Sequence, residues 1–146
     1  MIGRAITERP DLFGTAIVEF GSLNMLRSEM RANGANNVKE FGTIKDSIGF
    51  KNLLEMDAYH HIKDKESYPS TLLMVGLNDP RVPPWFSVKF GARIQAANTS
   101  SRPNRLLFNS ESGHAVDDTK LVEFTRYANI LSFALWQTDH PEYQPK

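Results

Sequence analysis

The chain has 146 residues, 40% of them hydrophobic, which suits one domain with its own core. Lysine plus arginine equals aspartate plus glutamate at 17 each, so no net charge favours nucleic acid or an anionic membrane as a partner. The absence of cysteine excludes disulfides, thiolate catalysis and cysteine-ligated zinc.

The first predicted elements are a helix over residues 1–8 and a strand from Phe13 to Phe20. Pro10 ends the helix, because a proline pushes the residue before it out of α geometry. Three weaker patterns follow: a short helix around Asn24–Ala32, an Asn- and Gly-rich surface loop over residues 33–37, and a helical turn or two over Phe50–Met56.

The second predicted strand, Thr71–Val75, lacks the polar alternation of a half-exposed strand. We therefore expect it at the centre of a parallel sheet, covered on both faces. Asn78 and Asp79 follow its carboxyl end, the edge at which open α/β sheets build their sites. Asp79 is thus a candidate for chemistry, although Asp79 and Pro80 also suit an ordinary turn.

Two later helices and one strand complete the pattern. The helix after Pro84 places Phe86, Phe90, Ile94 and Ala97 on one apolar face and leads to a third strand, Arg105–Asn109. The last helix is capped by residues 117–119 and ends at His140. Its apolar stripe, which we expect to pack in the core, consists of Leu121, Phe124, Ala128, Leu131 and Leu135.

Alternating strands and helices predict an α/β fold with about three parallel strands and flanking helices. A sheet this small leaves its first strand unpaired on one side, and we expect side chains such as Ile17 and Val18 to be uncovered. The chain is therefore expected to self-associate or to be covered at this edge by another chain.

Asp79 and His114 follow consecutive predicted strands. If a right-handed crossover makes those strands parallel neighbours, both residues emerge at the same edge of the sheet. A carboxylate bonded to one imidazole nitrogen fixes the tautomer and favours the imidazolium, which is two thirds of a serine hydrolase triad. Gly113 would let the backbone turn sharply before His114.

The order Asp then His matches α/β-hydrolases, in which the serine precedes both. None of the nine glycines has a serine two places later, so the nucleophile elbow G-x-S-x-G is absent from this sequence. Adjacent His60 and His61 point in different directions on either a helix or a strand, so no metal site is predicted. No cofactor is predicted either.

Several short blocks occur in an order and spacing that resemble the carboxyl-terminal part of the catalytic domain of the prolyl oligopeptidase family. Asn24 and Asp57 depart from that pattern, because aspartate and serine are common there. The blocks are residues 9–14, 24–27, 40–42, 58–62, 68–73, 78–83, 87–90 and 112–114.

The resemblance implies a partial α/β-hydrolase fold spanning residues 1–146, cut just after the nucleophile elbow. It implies that Asp79 is the triad acid, His114 the triad histidine and Arg81 a ligand of the substrate carbonyl. The serine, the oxyanion donors and the propeller domain of such a peptidase are outside this sequence, so the chain alone is expected to be inactive. The intact parent would act on peptides. The resemblance also implies that a complementary amino-terminal fragment, which supplies the serine, would pair with the first strand of this chain if a second copy of the chain does not.

Two alternatives remain open. One is a small esterase of the same fold that uses an unconventional serine such as Ser22 or Ser112. The other is a non-catalytic module that assembles through its exposed sheet edge. No apolar run approaches the roughly 20 residues of a membrane span, so we expect a soluble protein of the cytoplasm or periplasm.

Overall fold

The computed structural model describes residues 1–115 and 118–145. The strands are β1 (Thr15–Glu19), β2 (Ser70–Gly76) and β3 (Asn104–Asn109). The helices are α1 (Ile2–Glu8), α2 (Val38–Phe41), α3 (Ser47–Met56), α4 (Trp85–Ala97) and α5 (Lys120–Gln137). Short 3-10 turns cover Pro10–Leu12, Met25–Met30, Gly34–Asn37, Tyr59–His61 and Pro141–Tyr143.

The three strands form one parallel sheet in the order β1-β2-β3. All seven residues of β2 are buried, which confirms its predicted central position. Leu73 of β2 lies opposite Val18 on one side and Leu106 on the other. All three strands therefore end at the same edge of the sheet, and β1 has no partner on its outer side among the described residues.

The face of the sheet against α1 and α4 carries the larger core cluster. Ile6 of α1 and Phe90 and Ile94 of α4 are fully buried in it, as the predicted apolar face of α4 requires. Val18 belongs to the same cluster and is 5% exposed. The expectation that Val18 would be uncovered is wrong, because α1 and Leu23 cover this part of β1.

Helix α5 covers the opposite face of the sheet, but the side chains of α5 that contact the sheet are not the ones predicted. Phe133 packs against Leu72 and Met74, with Ile130 and Trp136 beside it. The expected core stripe faces outward: Leu121 is 76%, Phe124 65% and Leu131 59% exposed. That prediction was wrong because α5 has apolar side chains on two faces, and only one of them meets the sheet.

The segment between β1 and β2 is more structured than predicted. The short helix near Met25–Met30 is of the 3-10 type, and Gly34, placed in a predicted surface loop, is buried. Helix α3 begins earlier than expected, at Ser47, because the Asp46 carboxylate accepts hydrogen bonds from the amides of Ile48 and Gly49. No helix in the described ranges has the length and apolar character that crossing a membrane requires.

A buried polar cluster joins this segment to α4. Asp57 Oδ2 accepts a hydrogen bond from the Leu26 amide at 2.9 Å, and Oδ1 accepts one from the His60 amide at 3.0 Å. With its amide in the orientation that satisfies both atoms, Asn24 donates to Asp57 Oδ2 and accepts from Lys89 Nζ, each at 3.1 Å. Asn24 and Asp57 are both fully buried, so their role is structural.

Candidate catalytic site

Asp79 is held by the turn that it starts. Its Oδ1 accepts hydrogen bonds from the amides of Arg81 at 2.7 Å and Val82 at 2.8 Å. This is the local geometry that an aspartate before a proline favours. Because Oδ1 is committed to the turn and the residue is 6% exposed, Oδ2 is the oxygen left to face the sheet edge.

His114 meets that oxygen. Its Nδ1 lies 2.6 Å from Asp79 Oδ2, and the imidazole side chain remains 29% exposed while the carboxylate is 1% exposed. An ionised carboxylate can only accept, so we assign the proton to Nδ1, which leaves Nε2 as the nitrogen that can take a proton. The sheet topology thus brings together the two residues that sequence analysis singled out.

Phe20, which directly follows β1, packs against the imidazole. The two ring centroids are 5.1 Å apart with planes tilted by 48°. Phe20 adopts φ 50°, a left-handed conformation that is unusual for a bulky residue and is found at functional sites. Sequence analysis missed it because the residue continues the apolar pattern of β1, although its place at a strand end was a usable signal.

The loop that carries His114 is fixed to β2 and β3 by asparagines. Asn109 Oδ1 accepts from the amides of Glu111 and Ser112, at 2.9 and 3.1 Å. The backbone N–H of Asn78 donates to Ser112 O at 3.3 Å, and its side-chain Nδ2 donates to Ser110 O at 2.7 Å. These contacts set where the loop leaves the sheet.

The chain bends at Gly113 as expected, but the bend does not use the positive φ that glycine permits. Gly113 has no positive φ, whereas Ala115 on the other side of His114 has φ 57°. The glycine that the site needs is Gly76, because a Cβ there would lie 2.1 Å from Gly113 O. A close approach of two backbones, rather than a flexible turn, therefore positions the histidine.

Arg81 lies at the cleft beside His114. The two residues line a cavity of about 350 Å³ together with Asn78, Pro80, Glu111, Gly113 and Asp118. Arg81 is exposed, while its carbonyl accepts a hydrogen bond from Arg31 Nη1 at 3.0 Å. The backbone around Arg81 is thus fixed on both sides, and the guanidinium belongs to a surface open to a ligand.

Neither serine of the esterase alternative is paired with the imidazole. Ser112 is 2% exposed and donates its hydroxyl to the Asp118 carboxylate, with oxygens at 2.7 and 2.9 Å. The Ser22 hydroxyl lies 3.5 Å from Met25 Sδ. Within residues 1–115 and 118–145, no hydroxyl hydrogen-bonds to His114, and no group of three or more His, Asp or Glu could hold a metal.

Comparison with known proteins finds relatives that match nearly the whole chain. A sequence profile described as the prolyl oligopeptidase family matches residues 1–140. The chain is 33% identical over 138 residues to the prolyl endopeptidase of Elizabethkingia miricola, covering 94% of this chain and 20% of that protein. It is 28% identical over 136 residues to the prolyl endopeptidase of Dictyostelium discoideum, covering 91% of this chain and 18% of that protein.

Solved structures share the same arrangement. A prolyl endopeptidase structure is 29% identical with a TM-score of 0.85, covering 93% of this chain and 20% of that one. Prolyl oligopeptidase B of Galerina marginata, bound to a 35mer hydrolysis and macrocyclization substrate, has a TM-score of 0.87. At 22% identity, over 94% of this chain and 20% of that one, it supports the fold alone. The three strands and their helices thus correspond to an α/β-hydrolase, and the chain spans about a fifth of its curated relatives.

Proposed function

The chain belongs to the prolyl oligopeptidase family of serine peptidases, and we propose that it carries the acid and the general base of a catalytic triad. In this proposal Asp79 is the acid and His114 is the base. The observation that carries it is the 2.6 Å contact between His114 Nδ1 and Asp79 Oδ2.

The contact suits the chemistry of acyl transfer. With Nδ1 held by the carboxylate, Nε2 takes the proton of the attacking serine hydroxyl and later returns it to the leaving amine. The Asp79 carboxylate is almost fully buried, so it is poorly screened by water where it faces the imidazolium. It also has no freedom to turn away, because its other oxygen is held by two backbone amides.

Arg81 is proposed to bind a carbonyl oxygen of a peptide substrate. Its guanidinium carries fixed donors and stays charged at any physiological pH. The backbone of Arg81 is anchored to the same Asp79 side chain that orients His114. The turn that carries Arg81 is therefore the same turn whose carboxylate orients His114.

The nucleophile has to come from a segment outside these 146 residues. We propose that residues 1–146 act as the carboxyl-terminal portion of an α/β-hydrolase catalytic domain, whose remainder supplies the serine and the oxyanion donors. The whole protein would then be a peptidase, as the names of its relatives state for them. The outer side of β1, which no strand of residues 1–115 or 118–145 pairs with, is the surface at which the remainder, or a second copy of this chain, would add to the sheet.

A serine-reactive phosphonate tests this proposal on the purified 146-residue chain. We expect no stoichiometric labelling and no ester hydrolysis, because no serine hydroxyl in the described ranges contacts His114. Labelling of one serine per chain would overturn the proposal in favour of a small esterase. Mass spectrometry of the labelled peptide would then decide between Ser22 and Ser112.

A further inference from the structure

We propose that Ser112 and Asp118 form a clamp that positions His114, so that a hydroxyl beside the site acts as a positioning group and not as a nucleophile. The inference rests on the proposed function, because it concerns the residue that would serve as the general base. Ser112 precedes His114 by two positions and Asp118 follows it by four. The clamp therefore joins the two sides of the segment that carries the imidazole.

The hydrogen bond of the clamp has the features of a strong one. The donor is a neutral hydroxyl and the acceptor an ionised carboxylate, with oxygen to oxygen distances of 2.7 and 2.9 Å. Ser112 is 2% exposed, so its hydroxyl has lost contact with bulk water, and the carboxylate is a much closer acceptor than Gly113 O, which lies at 3.5 Å. Asp118 is half-buried and lines the same cleft as His114.

Each end of the clamp is attached to a different part of the fold. Ser112 is tied to the ends of β2 and β3 through Asn78 and Asn109. Asp118 immediately precedes Thr119, whose side chain caps α5. The clamp thus joins the sheet edge to the start of the last helix, and His114 lies between two anchored points.

The asparagine contacts and the close approach of Gly76 hold the loop before His114, whereas the clamp holds the side after it. Two contacts of the His114 side chain among the described residues do not depend on the clamp. Phe20 contacts the ring face, and Asp79 contacts one ring nitrogen. Ala115, next to the histidine, has φ 57°, a conformation that is disfavoured for alanine unless its surroundings enforce it. Releasing Ser112 from Asp118 would let this residue relax and carry the imidazole away from Asp79.

The tautomer of the neutral His114 ring reports whether the ring is held against Asp79. A loss of folding stability alone would not change this tautomer. When Nδ1 donates to Asp79, the neutral ring carries its proton on Nδ1. A released ring would populate the tautomer with the proton on Nε2. Long-range proton–nitrogen NMR spectra of the neutral ring distinguish the two forms through carbon-bound protons, so exchange with water does not erase the signal.

The experiment compares the 146-residue chain with Ser112→Ala, Asp118→Ala and the double variant, at about pH 9, where ordinary histidines are neutral. The chain has four histidines, so a His114→Gln spectrum assigns the resonances. Ser110→Ala is the matched control, because Ser110 is exposed in the same loop and contributes only its carbonyl to the hydrogen bonds described.

We expect the Nδ1-protonated form in the unmodified chain and in Ser110→Ala, and a shift to a mixture of tautomers in Ser112→Ala and Asp118→Ala. The double variant should shift no further than either single variant, since both break the same bond. If both single variants keep the unmodified spectrum, the clamp is refuted and the proposed function stands. If the unmodified chain already shows the Nε2-protonated form, the Asp79 and His114 pair itself is wrong. Asp118→Ala keeps the test decisive should Ser112→Ala fail to fold.

Discussion

Gly76, the last residue of β2, lies against the backbone of Gly113, and a Cβ at Gly76 would be 2.1 Å from Gly113 O and 2.6 Å from Ser112 O. Both neighbours are backbone atoms. Ser112 O accepts a hydrogen bond from the backbone amide of Asn78, and Gly113 O belongs to the residue before His114. The end of the central strand and the histidine loop thus fit together only because the strand ends in glycine.

Gly76→Ala is expected to displace the histidine loop. We predict a loss of about 2 kcal/mol or more in the free energy of unfolding, because a backbone contact cannot rotate away. The variant should also lose the Nδ1-protonated tautomer of His114. Gly14→Ala is the matched control, since a Cβ there meets nothing within 4 Å. Urea unfolding measures the first effect, and a melt equal to that of the control would contradict it.

Asp57→Ala tests the buried polar cluster. The substitution leaves the amides of Leu26 and His60 without their acceptor and removes the partner of Asn24. We expect a loss of about 2–4 kcal/mol in the free energy of unfolding, measured by urea titration. Asp64→Ala should cost less than about 1 kcal/mol, because Asp64 takes part only in an ion pair at the surface. Equal costs for the two variants would show that the cluster is not structural.

Tyr68→Phe combines a stability effect with a pH effect. The buried hydroxyl donates to Lys63 O at 3.1 Å and accepts from Lys63 N at 2.7 Å, so its loss should cost about 1–2 kcal/mol near neutral pH. Desolvation by burial raises the pKa of Tyr68, so the unfolded chain releases this proton at lower pH than the folded chain. The contribution of the Tyr68 hydroxyl to the free energy of unfolding is therefore fully present below about pH 10 and is lost as the pH rises further.

Thermal melts between neutral pH and about pH 11 measure this difference. The stability gap between the unmodified chain and Tyr68→Phe should narrow as the pH rises above about 10. The remaining tyrosines and the lysines titrate in both proteins and cancel in the comparison. A gap that widens with pH would give the pKa shift of Tyr68 the wrong sign.

The sequence predicted the centre of this fold well because its signals are local and strong. A short run without polar alternation is typical of a covered strand, and β2 proved buried along its whole length. The apolar spacing of α4 likewise matched its buried face. The meeting of Asp79 with His114 followed from treating the second and third strands as parallel neighbours, with no need for side-chain detail.

The remaining features depend on contacts between distant residues, which a pattern cannot reveal. The stripe on α5 was assigned to the core because periodicity shows which residues share a face but not which of two faces meets the sheet. The role of Gly76 comes from a loop that approaches it from 37 positions along the chain, at Gly113. Ser112 was considered only as a nucleophile, since its acceptor Asp118 could not be identified without the loop conformation.

The exposed stripe of α5 predicts association. Leu121, Phe124 and Leu131 present apolar surface to solvent, and covering such surface stabilises a complex by about 25 cal/mol for each Å². We expect sedimentation at micromolar concentration to show self-association, weakened by Leu121→Lys with Leu131→Lys, while melts at a dilution where both proteins are monomeric show equal melting temperatures. Ser132→Lys adds a charge to an exposed polar site of the same helix and is the control. A monomeric unmodified chain would contradict this prediction.

Complementation tests the central claim, that Asp79 and His114 supply the acid and the base of a triad whose serine lies elsewhere. The chain is mixed with the Elizabethkingia miricola prolyl endopeptidase from which the matching 138 residues have been removed, and complex formation is checked by sedimentation. We predict that a phosphonate labels a serine of the larger piece only in the complex, and at least about 10³-fold more slowly with His114→Ala. His60→Ala, at a histidine that does not line the cleft, should leave the rate unchanged once complex formation is confirmed, a check that is needed because the His60 imidazole contacts Asp57. Labelling in the complex at the same rate with His114→Ala as with the unmodified chain would contradict the account.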